Sequence, residues 1–159
     1  MLVPAILKKN EILESFKRYY YSADMMYETG GLNNWLPNIQ EETESGRFQY
    51  AIVASSEKLV GYLDYYIDWY NSCAWRFGLI SFDRGNPIVG KDLFNELNKL
   101  IYDYRLHRIE WRMIGGNPVA RSYAKCCKKF NGTKHILKEA IKDKYGKYHD
   151  DIIYEIVNE

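Results

Sequence analysis

Apolar and polar positions along the chain switch between two periods, and the switches mark its elements. Residues 107–113 alternate: Ile109, Trp111 and Met113 share one face, and Arg108, Glu110 and Arg112 the other. That is the period of a strand. Over residues 119–127, Val119/Ala120, Tyr123/Ala124 and Cys127 group together at helical spacing. Between them Gly115-Gly116 supplies a turn, Asn117 an N-cap and Pro118 a first helical residue. The stretch predicts a strand, a tight loop and a helix start, a junction where free backbone N–H groups can meet a ligand.

The other elements follow in order. Residues 2–7 predict a short strand, with Pro4 tolerated on an edge. A helix begins at Asn10, gathers Ile12, Leu13, Phe16, Tyr19 and Tyr20 on one face, and ends near Met25. Residues 27–46 are irregular, with Gly30-Gly31, Asn33-Asn34, Pro37 and the acidic run Glu41-Glu42-Thr43-Glu44. They predict a surface loop with a short second helix. Residues 48–55 and 59–69 form a hairpin around a turn at 56–58. On its long strand Leu59, Gly61, Leu63, Tyr65, Ile67 and Trp69 are expected on one face. Val60, Tyr62, Asp64, Tyr66, Asp68 and Tyr70 are expected on the other. A strand over 75–82, a loop over 83–90 and an amphipathic helix over 92–104 come next. Strands over 133–141 and 148–157 close the chain around a hairpin tip at Tyr145-Gly146. This order predicts an α/β (α+β) domain spanning residues 1–159, a mixed sheet with helices on both faces.

Composition narrows the partners. With 159 residues, 47% hydrophobic and 27% charged, the chain suits one globular domain. A formal charge of +1 gives no reason to expect nucleic acid or membrane. No apolar run approaches the about 20 residues of a spanning helix. Lys8-Lys9 follow the amino-terminal apolar stretch, the wrong side for a signal peptide. Three cysteines, two adjacent at Cys126-Cys127, give neither a disulfide framework nor metal-ligand spacing. They read as thiols of a reducing cytoplasm. The 15 Tyr and 4 Trp are bunched at Tyr19-Tyr20-Tyr21 and over residues 62–75.

Three motifs in the carboxy-terminal half carry a resemblance. They are Leu106-His107-Arg108-Ile109-Glu110; Asn117 with Ala120 three residues on; and Lys138-Glu139-Ala140 followed by Gly146-Lys147-Tyr148-His149-Asp150 and Tyr154. In this order they resemble the GCN5-related N-acetyltransferases, in the branch that modifies ribosomal proteins. The likeness spans about residues 75–157, and before that it rests on element order. It implies a mostly antiparallel sheet splayed between two central parallel strands, here 75–82 and 107–113. It implies acetyl transfer from acetyl-CoA to an amine, without a metal. Pantetheine would lie along Leu79, Ile80, Ser81 and Phe82, and the pyrophosphate on the loop of Arg84, Gly85, Gly90 and Lys91. Asn117 would touch the cofactor arm. The amine attacks directly, a base takes its proton, and a Tyr of the last helix protonates the thiolate.

Two positions depart from the family pattern. Its phosphate loop, Gln/Arg-x-x-Gly-x-Gly/Ala, wants small residues where Pro87 and Val89 stand. Its acidic Tyr aligns with Ala124, and Tyr123 lies one residue early, a turn of roughly 100° on a helix. Tyr123 is therefore either that acid or a core residue. Glu110 is a candidate base, because a charged face on a central strand must meet water, a ligand or a partner charge; the alternative is an ion-pair ladder with Arg108 and Arg112. Asp64, Tyr66 and Asp68 are candidates for holding a cationic amine through carboxylates and rings, against a plain solvated face. His149 has no assigned role. The acceptor is open among a protein N-terminus, a polyamine, an aminoglycoside and other small amines. The alternative function is a non-catalytic binding or assembly module with Pro87, Ile88 and Val89 in a lost cofactor loop. Its aromatic strand at 62–75 would then contact a partner chain or a second copy in a homodimer.

Overall fold

The computed structural model describes residues 1–19, 27, 36–42 and 44–158. The expected second helix and the end of the first fall outside them. Among the described residues seven strands form one sheet: β1 Leu2–Pro4, β2 Arg47–Val53, β3 Leu59–Asp68, β4 Cys73–Ser81, β5 Arg108–Ile114, β6 Thr133–Lys142 and β7 Tyr148–Val157. Their spatial order is β1-β2-β3-β4-β5-β7-β6. Every neighbouring pair is antiparallel except β4 with β5. Pro4 sits on the edge strand, where its missing N–H costs no ladder bond.

β3 is buried over nearly its whole length because a core lies on each side of it. On one side Val60, Leu63, Tyr65 and Ile67 join Leu93, Leu97 and Leu100. On the other, Leu59 and Tyr62 join Ile12, Phe16 and Ala51. The expected alternation fails at the start of the strand. Ile52 pairs with Gly61 but Val53 with Leu59, so Val60 is an extra residue in a bulge. That slip moves Leu59 to the face of Tyr62, and Val60 to the face of Leu63.

Helices cover both faces. Helix α1, Lys9–Tyr19, presents Ile12 and Phe16 at helical spacing, and Phe16 meets Tyr62 edge-on at 5.6 Å. Helix α2, Pro87–Asn98, and helix α3, Ala120–Lys129, pack on the opposite side with Leu93, Leu97 and Cys127 inward. α2 starts at Pro87 and not at Asp92, and a π-helical turn over Lys99–Asp103 continues it. Local geometry permits the early start. The Asn86 side chain accepts from the Ile88 N–H at 3.0 Å, and Pro87 brings a helical φ to the first position. No helix among the described residues is long and apolar enough to cross a membrane.

The parallel pair is the irregular part of the sheet. β5 pairs with β7 along its whole length, from Arg108↔Val157 to Ile114↔Asp151. With β4 it pairs only through Cys73↔Arg108 and Ala74↔Ile109. Just beyond, β4 carries a bulge: Tyr66 pairs with Trp75, but Asp64 pairs with Gly78. Arg76 lies inside that bulge at φ +54°, a left-handed conformation that non-glycine residues seldom adopt. A bulge bends its strand, and from here β4 leaves β5.

Candidate functional site

The parting strands open a cleft of about 990 Å³. Phe77, Leu79 and Ser81 line it from β4, and Trp111 and Met113 from β5. Two cross-strand rows form the floor at its other end. Gln49, Asp64 and Gly78 are register partners across β2, β3 and β4; Arg47, Tyr66 and Trp75 are the next row.

Asp64 is 6% exposed. Burial pushes its carboxyl up to about 6, against the opposing pull of Arg47, Tyr62 and the Gly78 N–H. Gly78 makes room for it, since a Cβ there would collide with Oδ1 of Asp64. The Tyr62 hydroxyl bonds Asp64 and accepts from Gln49 Nε2 at 2.8 Å. Gln49 in turn ties the floor to residues 36–42: its Nε2 donates to the Asn38 carbonyl at 2.9 Å, and its Oε1 accepts from the Gln40 N–H at 3.0 Å. Arg47 reaches Asp64 only at 3.9 Å, while its guanidinium lies 5.4 Å from the centre of the Tyr66 ring. Arg76 lies 5.2 Å from the same ring and 5.6 Å from that of Trp75.

The β5 wall is built of ion pairs. Arg108 bonds Glu110 at 2.8 Å and Glu155 at 2.7 Å, and His135 meets Glu155 at 3.0 Å. Arg112 pairs with Asp151 at 3.2 Å. Glu110 therefore borders the cleft as a member of a ladder, with Arg108 but not Arg112 as its partner. Tyr123 lines the wall too, packed edge-on against Trp111 at 6.2 Å and Tyr154 at 6.1 Å. Among the described residues no group of three His, Cys, Asp or Glu side chains could hold a metal.

No family model matches the chain, and no curated protein matches its sequence. Solved structures do match its shape. A chimaera of the Vibrio cholerae spermidine N-acetyltransferase SpeG and hSSAT superposes with a TM-score of 0.59 at 19% identity, over 72% of this chain and 67% of that one. Mutant forms of the spermidine/spermine N-acetyltransferase SpeG from Vibrio cholerae give 0.60 at 18%, over 72% and 68%. The dodecameric spermidine N-acetyltransferase from Vibrio cholerae gives 0.60 at 18%, over 72% and 66%. The chain has the GCN5-related N-acetyltransferase fold.

Within this acetyltransferase fold the residues expected to hold acetyl-CoA divide. Leu79, Ser81, Arg84, Gly85 and Asn117 line the cleft. Ile80 does not: strand alternation turns it to the opposite core, where it is 3% exposed. Phe82 packs on Phe16 at 5.4 Å and donates its N–H to the Val60 carbonyl, away from β5. Gly90 and Lys91 fall inside α2, exposed and outside the lining, because the helix begins at Pro87. Asn117 is committed at both ends, its Oδ1 to the Val119 N–H at 3.0 Å and its Nδ2 to the Tyr27 carbonyl at 3.2 Å. Of the residues expected at the acceptor, Asp64 and Tyr66 are on the floor. Asp68 caps the next turn instead, accepting from the N–H groups of Tyr70 and Asn71 at 3.0 Å each.

The cleft accommodates an acetyl-CoA arm better than a diphosphate. The Trp111 indole nitrogen is buried without an acceptor among the described residues, a donor in want of a polar ligand. Gly85, at φ +82°, has open space over it. The start of α2 is poorer than a usual anion site. The Asn86 N–H bonds the Asp83 carbonyl, Pro87 has none, and the Ile88 N–H is taken by Asn86.

Sequence reasoning missed Arg47, Gln49, Arg76 and Gly78. A lone glycine inside a strand pattern signals a bulge or a close approach, and Gly78, two residues after Arg76, carries that signal. Arg47 and Gln49 reach the site only through strand register, which leaves no local trace.

Proposed function

We propose that the protein transfers an acetyl group from acetyl-CoA to an amine, through a ternary complex and in a cytoplasmic setting. The observation that carries the reading is the open cleft between β4 and β5, where parallel pairing stops at Ala74↔Ile109. Acetyl-CoA supplies the thioester, whose carbonyl carbon takes the amine lone pair as the C–S bond breaks and the thiolate departs. The chain's residues do the rest. Leu79 and Ser81 offer backbone groups along the arm, Trp111 an indole N–H, and Arg84 with Gly85 the mouth for the phosphates. Asp64, ionised above a pH of about 6, accepts the proton lost by the amine. It suits that task better than Glu110, whose carboxylate is held by Arg108. Tyr123, on the cleft wall, is the candidate to protonate the thiolate.

The carboxy-terminal motifs favour the ribosomal-protein branch, whereas the solved neighbours are named for spermidine; an amine acceptor is common to both. Acetyl-CoA should raise the melting temperature and slow hydrogen exchange at Leu79, Ser81 and residues 84–86. Absence of binding at millimolar acetyl-CoA refutes the proposal. A second reading, a non-catalytic module on this scaffold, is favoured by one observation, the occupied amides at the start of α2. The same titration separates the two readings.

A further inference from the structure

Among the described residues the charges around the acceptor floor do not suit a polycation. Seven charged side chains line the cleft: Asp64, Glu110 and Asp151 against Arg47, Arg76, Arg84 and Arg112. Glu110 is taken by Arg108, and Asp151 pairs with Arg112. Among the described residues the floor is thus left with one carboxylate, Asp64, and two guanidiniums, Arg47 and Arg76, both beside the Tyr66 ring, while Arg84 stands at the mouth. Their pairing is incomplete. Arg47 stands 3.9 Å from Asp64, and its Nε is buried without an acceptor among the described residues. Arg76 is exposed and forms no ion pair with any described residue. Of the acidic run, Glu41 pairs with Lys9 at 2.7 Å and Glu44 accepts from Gln40, and none of its described residues lines the cleft.

Depth orders these charges. Asp64 is buried at the base, and Arg76 is exposed above it, held at φ +54° by the bulge that turns it toward Tyr66 and Trp75. An amine at Asp64 would sit beside Arg47, whose side chain is nearly as buried, with Arg76 above it. A second positive charge on the same molecule would be repelled there, whereas an acidic oxygen group would find two planar forks of N–H donors, one with a donor unspent.

We propose that the acceptor is an amine that also carries an acidic oxygen group, a carboxylate or a phosphate, with the amine seated at Asp64 and the acidic group between Arg47 and Arg76. This rests on the acetyl-transfer reading above and sets the chain apart from neighbours whose names specify spermidine.

The test uses the full chain and matched acceptors: β-alanine against its carboxamide, O-phosphoethanolamine against ethanolamine, and spermidine. CoA release gives kcat/KM, and calorimetry gives Kd with CoA present and with the protein alone. The expected result is at least about a tenfold preference for an acidic member over its neutral mate, with spermidine weakest. Whether carboxylate or phosphate leads identifies the acidic group. Arg76→Gly, which suits the positive φ, and Arg76→Gln should each reduce the preference to near unity by raising the acceptor KM, with the acetyl-CoA KM unchanged. Equal treatment of acidic and neutral members, no binding by any of them, preference for spermidine, or a preference that survives both variants overturns the proposal. Failure of acetyl-CoA to bind refutes the transferase reading instead, and the titrations on the protein alone still decide the acidic-group site.

Discussion

Replacing Asp64 by Asn should change how stability depends on pH, in a direction the structure dictates. The unfolded carboxyl titrates near its ordinary 3.8, and burial lifts the folded one to about 6. A folded value raised above the unfolded one means that the native state binds the proton more tightly. Stability from this group is therefore complete below pH 3.8 and is lost as pH rises through about 6. The interval, at about 1.4 kcal/mol per decade, comes to about 3 kcal/mol. Arg47 does not cancel it, because the guanidinium is 3.9 Å away and shares its charge with the Tyr66 face. The Asn variant has no proton to lose. Urea unfolding followed by tryptophan fluorescence, from pH 3.5 to 8, should show the parent losing about 3 kcal/mol relative to the variant between pH 4 and 6.5, and nothing further above that. A difference independent of pH, or one in which the parent gains as pH rises, would refute the assignment of Asp64 as a buried, poorly compensated carboxylate.

Other outcomes follow from neighbouring contacts. Gly78→Ala brings a Cβ against Asp64 Oδ1 and should lower stability by about 1–3 kcal/mol, read from the melting temperature, with a larger loss in kcat than in acetyl-CoA affinity. Tyr65→Phe removes the hydroxyl that donates to buried Glu96 and should cost about 1–3 kcal/mol; Lys99, 3.6 Å from Glu96, keeps the cost from the upper end. Glu110→Gln breaks a half-exposed pair with Arg108, so stability should change by less than about 1 kcal/mol and kcat by a few-fold. A fall in kcat of about a hundredfold or more would move the base from Asp64 to Glu110.

The strands were legible where one period held without interruption. β7 occupies the residues that alternation marks, 148–157, and β5 is displaced by a single residue. The helix starts were not, and one dipeptide explains why. Asn86-Pro87 reads as a surface turn and Asn117-Pro118 as a helix start, since both carry cap and turn signals. In the fold, α2 begins at once after Asn86, while regular α3 begins only at Ala120. The deciding factor is packing: Val89, three residues past Asn86, is buried in the core and draws the first turn onto the sheet. The floor of the cleft was half legible for a similar reason. Asp64 and Tyr66 share a face by alternation alone, but Arg47 and Arg76 join them through register and a bulge.

That bulge links the two halves of the proposal. Without it β4 would continue beside β5 past Ala74 and spend its amides and carbonyls on the sheet; with it, the β5-facing edge from Trp75 to Ser81 has no partner strand among the described residues. An unpaired strand edge beside Trp111, with its unspent indole N–H, is costly for a module that only needs a scaffold. It is useful to a protein that binds a ligand with polar groups along its length. The same irregular residue, Arg76, then stands at the rim of the floor with no ion-pair partner among the described residues. On the proposed reading, one residue at positive φ both separates the strands for a donor and presents a cation to an acceptor. A closed or eroded site has no use for either effect, and so the open cleft weighs more than the occupied amides at the start of α2.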